Sequence, residues 1–237
     1  MRRLVHFKSL HSTNTYTKHW ASKSTPIYST AILADYQRHG RGRGNNLWTA
    51  DVGKNLTVSF THPKLRLRDV DALRIHFLFA LNLFRSLKTL DLNLSIKWPN
   101  DLMLGDKKIA GILSEVQHDK SGNSLLIIGL GLNVGQEDFG ALDNKATSIQ
   151  QALPHAFTVQ QALEISWQAF EKTLEEASDI SLASICEEIN HHLYANGKQV
   201  SIRQGENKTE GEVLGLHHDG RIILRKSDGA THYLAAG

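Results

Sequence analysis

DLMLGDKKIAGILSEV, running from Asp101 to Val116, decides the class of fold. Two apolar segments, Asp101 to Leu104 and Lys108 to Val116, flank Gly105-Asp106, a dipeptide suited to a tight turn. The pattern predicts adjacent antiparallel strands. Working outward, Leu94 to Trp98 reads as a strand upstream, and Leu125 to Val134 as a continuous apolar strand broken by Gly129 and Gly131. Further strands are expected at Leu4 to Phe7, Tyr28 to Tyr36 and Asn55 to Thr61, the last with the apolar–polar alternation of a half-buried strand. Between them, Ser12-Thr13-Asn14 offers an N-cap for a helix to about Ala21, and Asp69 to Leu87 carries apolar residues at helical spacing. Helices are also expected at Thr158 to Ala177 and Leu182 to Tyr194. The result is a mixed β-sheet with helices packed against it, an α+β or α/β arrangement.

From about Asn196 the texture changes. Lys198 to Arg203, Thr209 to Leu216, Arg221 to Arg225 and Thr231 to Leu234 read as short strands between glycine-containing turns at Gly205, Asp219-Gly220 and Asp228-Gly229. This is a small all-β module, the size of a five-stranded barrel short of one strand. The expected division is residues 1–194 for the main domain and 195–237 for the module.

The chain of 237 residues suffices for one substantial domain and a small second one. Hydrophobic residues make up 41% and charged residues 22%, and the net charge of +3 gives no field that argues for nucleic acid. The single cysteine, Cys186, sits in an apolar-periodic stretch and reads as a buried thiol. Too few apolar residues follow Met1-Arg2-Arg3 for a secretory signal, and Ala72 to Phe84 is interrupted by Arg74, His76 and Asn82, so a cytoplasmic protein is expected.

The chemistry begins at Gly40-Arg41-Gly42-Arg43-Gly44, followed by Asn45, Asn46, Leu47 and Trp48. Glycines let backbone N–H groups approach an anion, and arginines add permanent charge with a fork that fits carboxylate or phosphate. A solvated basic loop or an RNA contact fits the same composition. Lys97-Trp98-Pro99-Asn100-Asp101 stops a strand at Pro99 and brings Asn100 and Asp101 out at its end, either toward a ligand or Mg²⁺ or as a chain-reversing turn. Lys108, just before an apolar strand, is placed to hold a carboxylate or to be an exposed turn cation. Gly129-Leu130-Gly131-Leu132-Asn133 joins a glycine-permitted close approach to an amide able to donate and accept, as an adenine edge requires.

Other chemistries find no pattern. Val134 stands where a dinucleotide fingerprint has its third glycine, and Ala141-Leu142 where a P-loop has Lys-Ser/Thr. The pairs His191-His192 and His217-His218 lack zinc-ligand spacing.

Taken in order, these segments resemble the biotin protein ligase family, the biotin–[acetyl-CoA-carboxylase] ligases. Gly40-Arg41-Gly42-Arg43-x4-Trp48 is similar to its biotin-adenylate loop, and Lys97-Trp98-Pro99-Asn100-Asp101 to its Lys-Trp-Pro-Asn-Asp signature. Ser12-Thr13-Asn14, Lys108-x-Ala110-Gly111-Ile112-Leu113 and Gly129-x-Gly131-x-Asn133 extend the match over nearly the whole chain. The resemblance implies an α+β, class II synthetase-like catalytic domain with a C-terminal SH3-like β-barrel. It also implies that biotin and ATP form biotinyl-5'-AMP with Mg²⁺, and that biotin then passes to a lysine of the biotin carboxyl carrier protein of acetyl-CoA carboxylase.

Roles follow by position, as the resemblance implies. Ser12, Thr13, Asn14 and Gln37 would line the biotin head-group pocket, with Gly111, Ile112 and Leu113 as its wall. Arg41, Gly42 and Arg43 would close over the biotin carboxylate and the phosphate, Lys108 would contact both, and Trp48 would pack against the ordered loop. Asn100 and Asp101 would organise phosphates and metal, and Asn133 would read adenine. Arg43, Lys108 and Asp101 are the catalytic candidates, Asp101 as the group that helps deprotonate the carrier lysine.

Because the motifs begin almost at Met1, the form expected lacks the family's DNA-binding domain, with no repressor role and neither DNA nor membrane as partner. At the other end Ala235-Ala236-Gly237 stops short of one more family strand. A homodimer through a strand edge is compatible with this kind of sheet. Rival readings are a lipoate or octanoate ligase or transferase on the same fold, and an RNA-binding protein. The 7% aromatic content and the charge of +3 weigh against the latter.

Overall fold

The computed structural model describes residues 1–23, 27–66, 69–118 and 124–236, so of Ala235-Ala236-Gly237 the last lies outside the described residues. In chain order the elements are β1 (Arg2–Phe7), α1 (Thr13–Lys23), β2 (Ser29–Ala34), β3 (Gly40–Arg41), β4 (Leu47–Trp48), β5 (Leu56–Arg66), α2 (Asp69–Lys88), β6 (Leu94–Lys97), β7 (Asp101–Leu104), β8 (Lys107–His118) and β9 (Ser124–Leu132). After a short 3-10 turn at Gly140–Leu142 come α3 (Val159–Glu176), α4 (Leu182–Asn190) and β10 to β13 (Gln199–Gln204, Asn207–Leu216, Ile222–Arg225 and Thr231–Leu234).

Seven strands form one mixed sheet in the order β1-β2-β5-β9-β8-β7-β6. Only β1 and β2 pair in parallel; the other neighbours are antiparallel. The expected hairpin between β7 and β8 turns at Gly105, whose φ of +57° is one that glycine adopts without strain.

Side-chain alternation gives the sheet two unlike faces. Leu56, Val58 and Phe60 of β5 and Leu126, Ile128, Leu130 and Leu132 of β9 enter the main core. There Phe60 stacks on Phe170 of α3 at 5.0 Å between centroids and meets Trp167 edge-on. Rings packed this way add about 1 kcal/mol beyond their burial. The amphipathic helices α2, α3 and α4 build this layer, and α3 starts with a capping box between Thr158 and Gln161. Cys186 of α4 is buried here as expected, its thiol pushed up to about 11 chiefly by desolvation. The opposite face, with Thr57 and Ser59 of β5, Gly129 and Gly131 of β9, and Gly111, Leu113 and Glu115 of β8 in register, receives α1 and the functional loop.

The last four strands form an antiparallel meander, and its Val213, Leu216, Ile222 and Leu224 join the same hydrophobic core. Polar bonds reinforce the junction. Trp98 donates Nε1–H to the Gly220 carbonyl at 3.0 Å, and the Asn190 side chain brackets Leu216, accepting its N–H and donating to its carbonyl. No described helix is long and apolar enough to cross a membrane.

Three expectations change in detail. The segment Gln37 to Leu47, read as loop, contains a two-stranded ribbon, because glycines at 40, 42 and 44 permit a hairpin that strand propensity does not register. Strand β5 continues to Arg66, with the register against β9 shifting between Thr61 and Arg66, around Pro63. Helix α4 stops at Asn190 rather than Tyr194, because the chain after it bridges to β6: Ile96 and Leu193 pair, and Tyr194 donates its N–H to the Ile96 carbonyl.

A buried histidine ties the helix layer to the sheet. His76 of α2 lies with Nδ1 2.8 Å from Ser114 Oγ and Nε2 3.0 Å from the Pro99 carbonyl. A neutral ring satisfies both, donating to Pro99 and accepting from Ser114. Burial depresses the ring's pKa from 6.5 to about 4, with the Pro99 carbonyl opposing and the Arg43 charge reinforcing the shift. The unfolded chain therefore binds this proton between those values while the folded chain does not. Stability falls as pH drops through that window, by up to about 3 kcal/mol. Urea denaturation at pH 7 and pH 4.5 is expected to show a smaller acid-induced loss in His76→Gln than in the parent; equal losses would refute the assignment.

Candidate active site

A cavity of about 220 Å³ opens on the second face of the sheet. Its floor is made where glycines leave the strands bare: Gly111 pairs with Gly131, and Gly129 faces Leu113. A Cβ on Gly131 would stand 2.2 Å from Cε2 of Trp48, and one on Gly111 3.3 Å from the same ring. A Cβ on Gly129 would meet Asn14 Oδ1 at 2.3 Å. Gly129 and Gly131 were expected to permit close approach of a ligand, and Gly111 to form pocket wall; the space the three leave admits Trp48 and Asn14.

Trp48 arrives at the end of the hairpin. Gly40 and Arg41 pair with Trp48 and Leu47, Gly42 donates its N–H to the Asn46 carbonyl at 2.8 Å, and Gly44 turns the chain with φ +58°. The strands approach so closely that a Cβ on Gly40 would stand 2.3 Å from the Trp48 carbonyl oxygen. The buried Trp48 indole nitrogen has no hydrogen-bond partner among the described residues.

One end of the cavity is polar and preorganised. The Gln37 Oε1 accepts from the Thr13 N–H at 2.7 Å and from its hydroxyl at 3.1 Å. Ser59 contacts Thr13 Oγ1 at 2.8 Å and Asn14 Oδ1 at 2.5 Å. Asn14 donates Nδ2 protons to the Leu113 carbonyl at 3.0 Å and to Glu115 Oε2 at 2.9 Å. Ser12, immediately before α1, holds its hydroxyl 3.5 Å from the Thr15 N–H and lines the cavity.

The other end is charged. Lys97-Trp98-Pro99-Asn100-Asp101 is both things its sequence allowed: it reverses the chain between β6 and β7, and it presents Asn100 and Asp101 to the cavity. Asn100 is fixed by its Nδ2 donating to the Ile112 carbonyl at 3.2 Å. Lys108 reaches this face through a bulge. Pairing advances from Leu102–Ala110 to Met103–Lys108, leaving Ile109 as the extra residue on β8. Without it, alternation would put Lys108 with Ala110 on the helix side. Instead Lys108 Nζ lies 2.7 Å from Asp101 Oδ1 and 5.6 Å from the centre of the Trp48 ring, a cation–π distance.

Electrostatics divides the two arginines. Arg43 is half-buried; desolvation pulls its pKa below the ordinary guanidinium value, against the attraction of Asp101. Arg41 forms a fork onto Glu115, at 3.2 Å from Nη1 and 3.0 Å from Nη2. Burial would raise the Glu115 carboxyl, but hydrogen bonds from Asn14 and Lys18 and the charges of Lys18 and Arg41 outweigh it and hold the pKa below the usual carboxylate value.

Fourteen of the fifteen candidate residues line this one cavity: Ser12, Thr13, Asn14, Gln37, Arg41, Gly42, Arg43, Trp48, Asn100, Asp101, Lys108, Gly111, Ile112 and Leu113. Asn133 does not. It is buried just past β9, donating Nδ2 to the Thr147 carbonyl at 3.0 Å, while its backbone bonds to Ile109 and Ile149. Glu115, Ser59 and His76 were missed. Glu115 was legible, since Gly111, Leu113 and Glu115 recur at the strand period and a carboxylate within an apolar strand is seldom without partners. Among the described residues no cluster of three or more histidine, cysteine or acidic side chains could hold a metal.

Known proteins resemble this chain in sequence and in fold. The bifunctional ligase/repressor BirA of Bacillus subtilis is 27% identical over 98% of this chain and 72% of its own. The biotin–[acetyl-CoA-carboxylase] ligase of Paracoccus denitrificans is 29% identical over 83% of this chain and 84% of its own. The biotin protein ligase of Aquifex aeolicus, solved with biotin and ATP, shares the fold at a TM-score of 0.83 and 24% identity, over 99% of this chain and 96% of that one. The biotin/lipoate A/B protein ligase family matches residues 6–133, the stretch that carries the hairpin, the charged turn, the bulged lysine and the glycine floor. The chain belongs to that family.

Proposed function

We propose that the protein joins biotin to ATP, giving biotinyl-5'-AMP and pyrophosphate, and then transfers biotin to a lysine of a biotin carboxyl carrier protein. The observation that carries this reading is the polar end of the cavity. Thr13, Asn14, Gln37 and Ser59 form a connected set of donors and acceptors there. A cyclic urea offers a carbonyl and two N–H groups to such partners, whereas the dithiolane of lipoate offers neither a carbonyl nor an N–H.

The charged end suits the first step. An oxygen of the biotin carboxylate attacks the α-phosphorus, the bond to pyrophosphate breaks, and two anions must come together for this. Lys108 and Arg43 offset that repulsion as fixed cations. The donor set at the turn, one carboxylate from Asp101 and one amide oxygen from Asn100, is too small for a metal held by protein alone. It suits Mg²⁺, which takes most of its ligands from water and nucleotide phosphates. Bound there, Mg²⁺ would supply further neutralisation of the phosphates. Asn133 spends one Nδ2 proton on the Thr147 carbonyl, and its second N–H and its Oδ1 are the groups an adenine edge would need.

The adenylate is a mixed anhydride that water destroys, and the hairpin Gly40 to Trp48 lies where it can exclude water. In the second step a neutral carrier lysine attacks the acyl carbon and AMP leaves. Asp101 takes the proton once Lys108 turns from it to the substrate anions. Residues 1–194 carry this chemistry, and the strands from Gln199 to Leu234 form an appended β module.

Three measurements test the reading. Biotin is expected to drive exchange of labelled pyrophosphate into ATP and lipoate to drive none; the reverse preference would overturn the substrate assignment. Gly131→Ala must displace the Trp48 ring and is expected to raise the KM for ATP by about tenfold or more, with the protein still folded; an unchanged KM would contradict the role of the glycine floor. Asp101→Asn is expected to cut transfer to the carrier by about a hundredfold, more than it slows adenylate formation. Undiminished transfer would remove Asp101 as the proton acceptor.

A further inference from the structure

Resting on the reading of this cavity as the ligase site, we propose that Glu115 is a positioning residue that latches the Gly40–Trp48 hairpin over the cavity through Arg41. In this arrangement Arg41 binds the protein rather than the substrate anions. The carboxylate gathers three segments distant in sequence. Asn14 and Lys18 of α1 reach it at 2.9 and 3.1 Å, and Arg41 of the hairpin grips both oxygens at 3.0 and 3.2 Å. A two-bond arginine–carboxylate fork fixes direction as well as distance, which a single lysine contact does not. The Glu115 side chain is 14% exposed and the Arg41 side chain 40%, so the carboxylate is the shielded member of the pair.

Position separates the two arginines. Gly111 pairs with Asp101, and Glu115 lies four residues further along β8, about 13 Å away at the rise of a strand. Arg43 feels the charge of Asp101, whereas Arg41 is drawn to the end where Asn14 stands. Two residues apart on one hairpin, they serve opposite ends of the cavity. Lys18 sharpens the inference: one carboxylate faces two cations, so neutralising Glu115 removes the tether and also leaves Arg41 and Lys18 repelling each other.

The test is tryptic cleavage of the ligand-free protein between Arg38 and Arg43, measured together with release of preformed, labelled biotinyl-adenylate. Glu115→Gln and Arg41→Gln are each expected to speed cleavage, at the arginines that remain, and adenylate release by about tenfold or more, with no further gain in the double variant. Lys18→Met, which removes a cation but not the fork, is expected to leave the hairpin as protected as in the parent. Arg41→Gln keeps Glu115 bonded to Asn14 and Lys18, so it carries the test if Glu115→Gln does not fold. Cleavage at the parental rate in Arg41→Gln would overturn the latch, as would additive effects in the double variant. Cleavage needs no substrate. Accelerated cleavage in a protein that never forms the adenylate would support the latch and refute only the ligase reading.

Discussion

The site depends on an absence of side chains. Three glycines on adjacent strands, Gly111, Gly129 and Gly131, leave a bare area of backbone on a face that would otherwise be filled. An indole ring and an amide occupy that space, and nothing larger than hydrogen would let them. In a strand interior glycine forfeits packing and costs backbone entropy. The helix face, dense with Phe60, Leu130, Ile128 and the rings of α3, supplies the stability that the cavity face lacks. One sheet thus separates two tasks by its alternation: cohesion toward the helices and access toward the hairpin.

Local departures from regular structure then aim the chemistry. The extra residue at Ile109 moves Lys108 from the helix side to the cavity, where it meets Asp101 from the neighbouring strand. The Pro99 carbonyl is held by His76, and Ser114 on β8 holds the other nitrogen of the same ring, so the charged turn is anchored to α2 and the sheet at once. Both devices work because a bulge and a buried neutral imidazole have one favourable arrangement and costly alternatives.

Much of this was legible in the sequence. Period-2 alternation in β5, the Gly105-Asp106 turn and the helical periodicity after Asp69 are local signals, and they found the strands and long helices of the sheet. Composition also singled out the hairpin glycines and arginines as unusual. What stayed hidden depends on contacts between distant segments. Nothing near residue 115 announces Asn14, Lys18 and Arg41, and nothing near Arg41 says that its charge is answered by the protein. The ribbon Gly40 to Trp48 escaped because its strands are two residues long, below the window in which alternation can be read. Asn133 was singled out for an amide's versatility, but the chain past β9 turns that amide toward Thr147.

The cations of this site come with their own anions. Lys108 and Arg41 are each partly shielded from water, and a shielded charge is favoured by a partner of opposite sign. Asp101 answers Lys108 and Glu115 answers Arg41. The two pairs differ in what a substrate can do to them. Lys108 is a single ammonium on a flexible stem, and a carboxylate or phosphate arriving beside it can take over its bond without moving the backbone. Arg41 is held by two parallel bonds to a carboxylate that two further donors also fix, so an incoming anion would have to break a network rather than a contact. Charge that must be handed to a ligand is best held by lysine, and charge that must hold a loop by arginine; the cavity places one of each against an acid of the sheet.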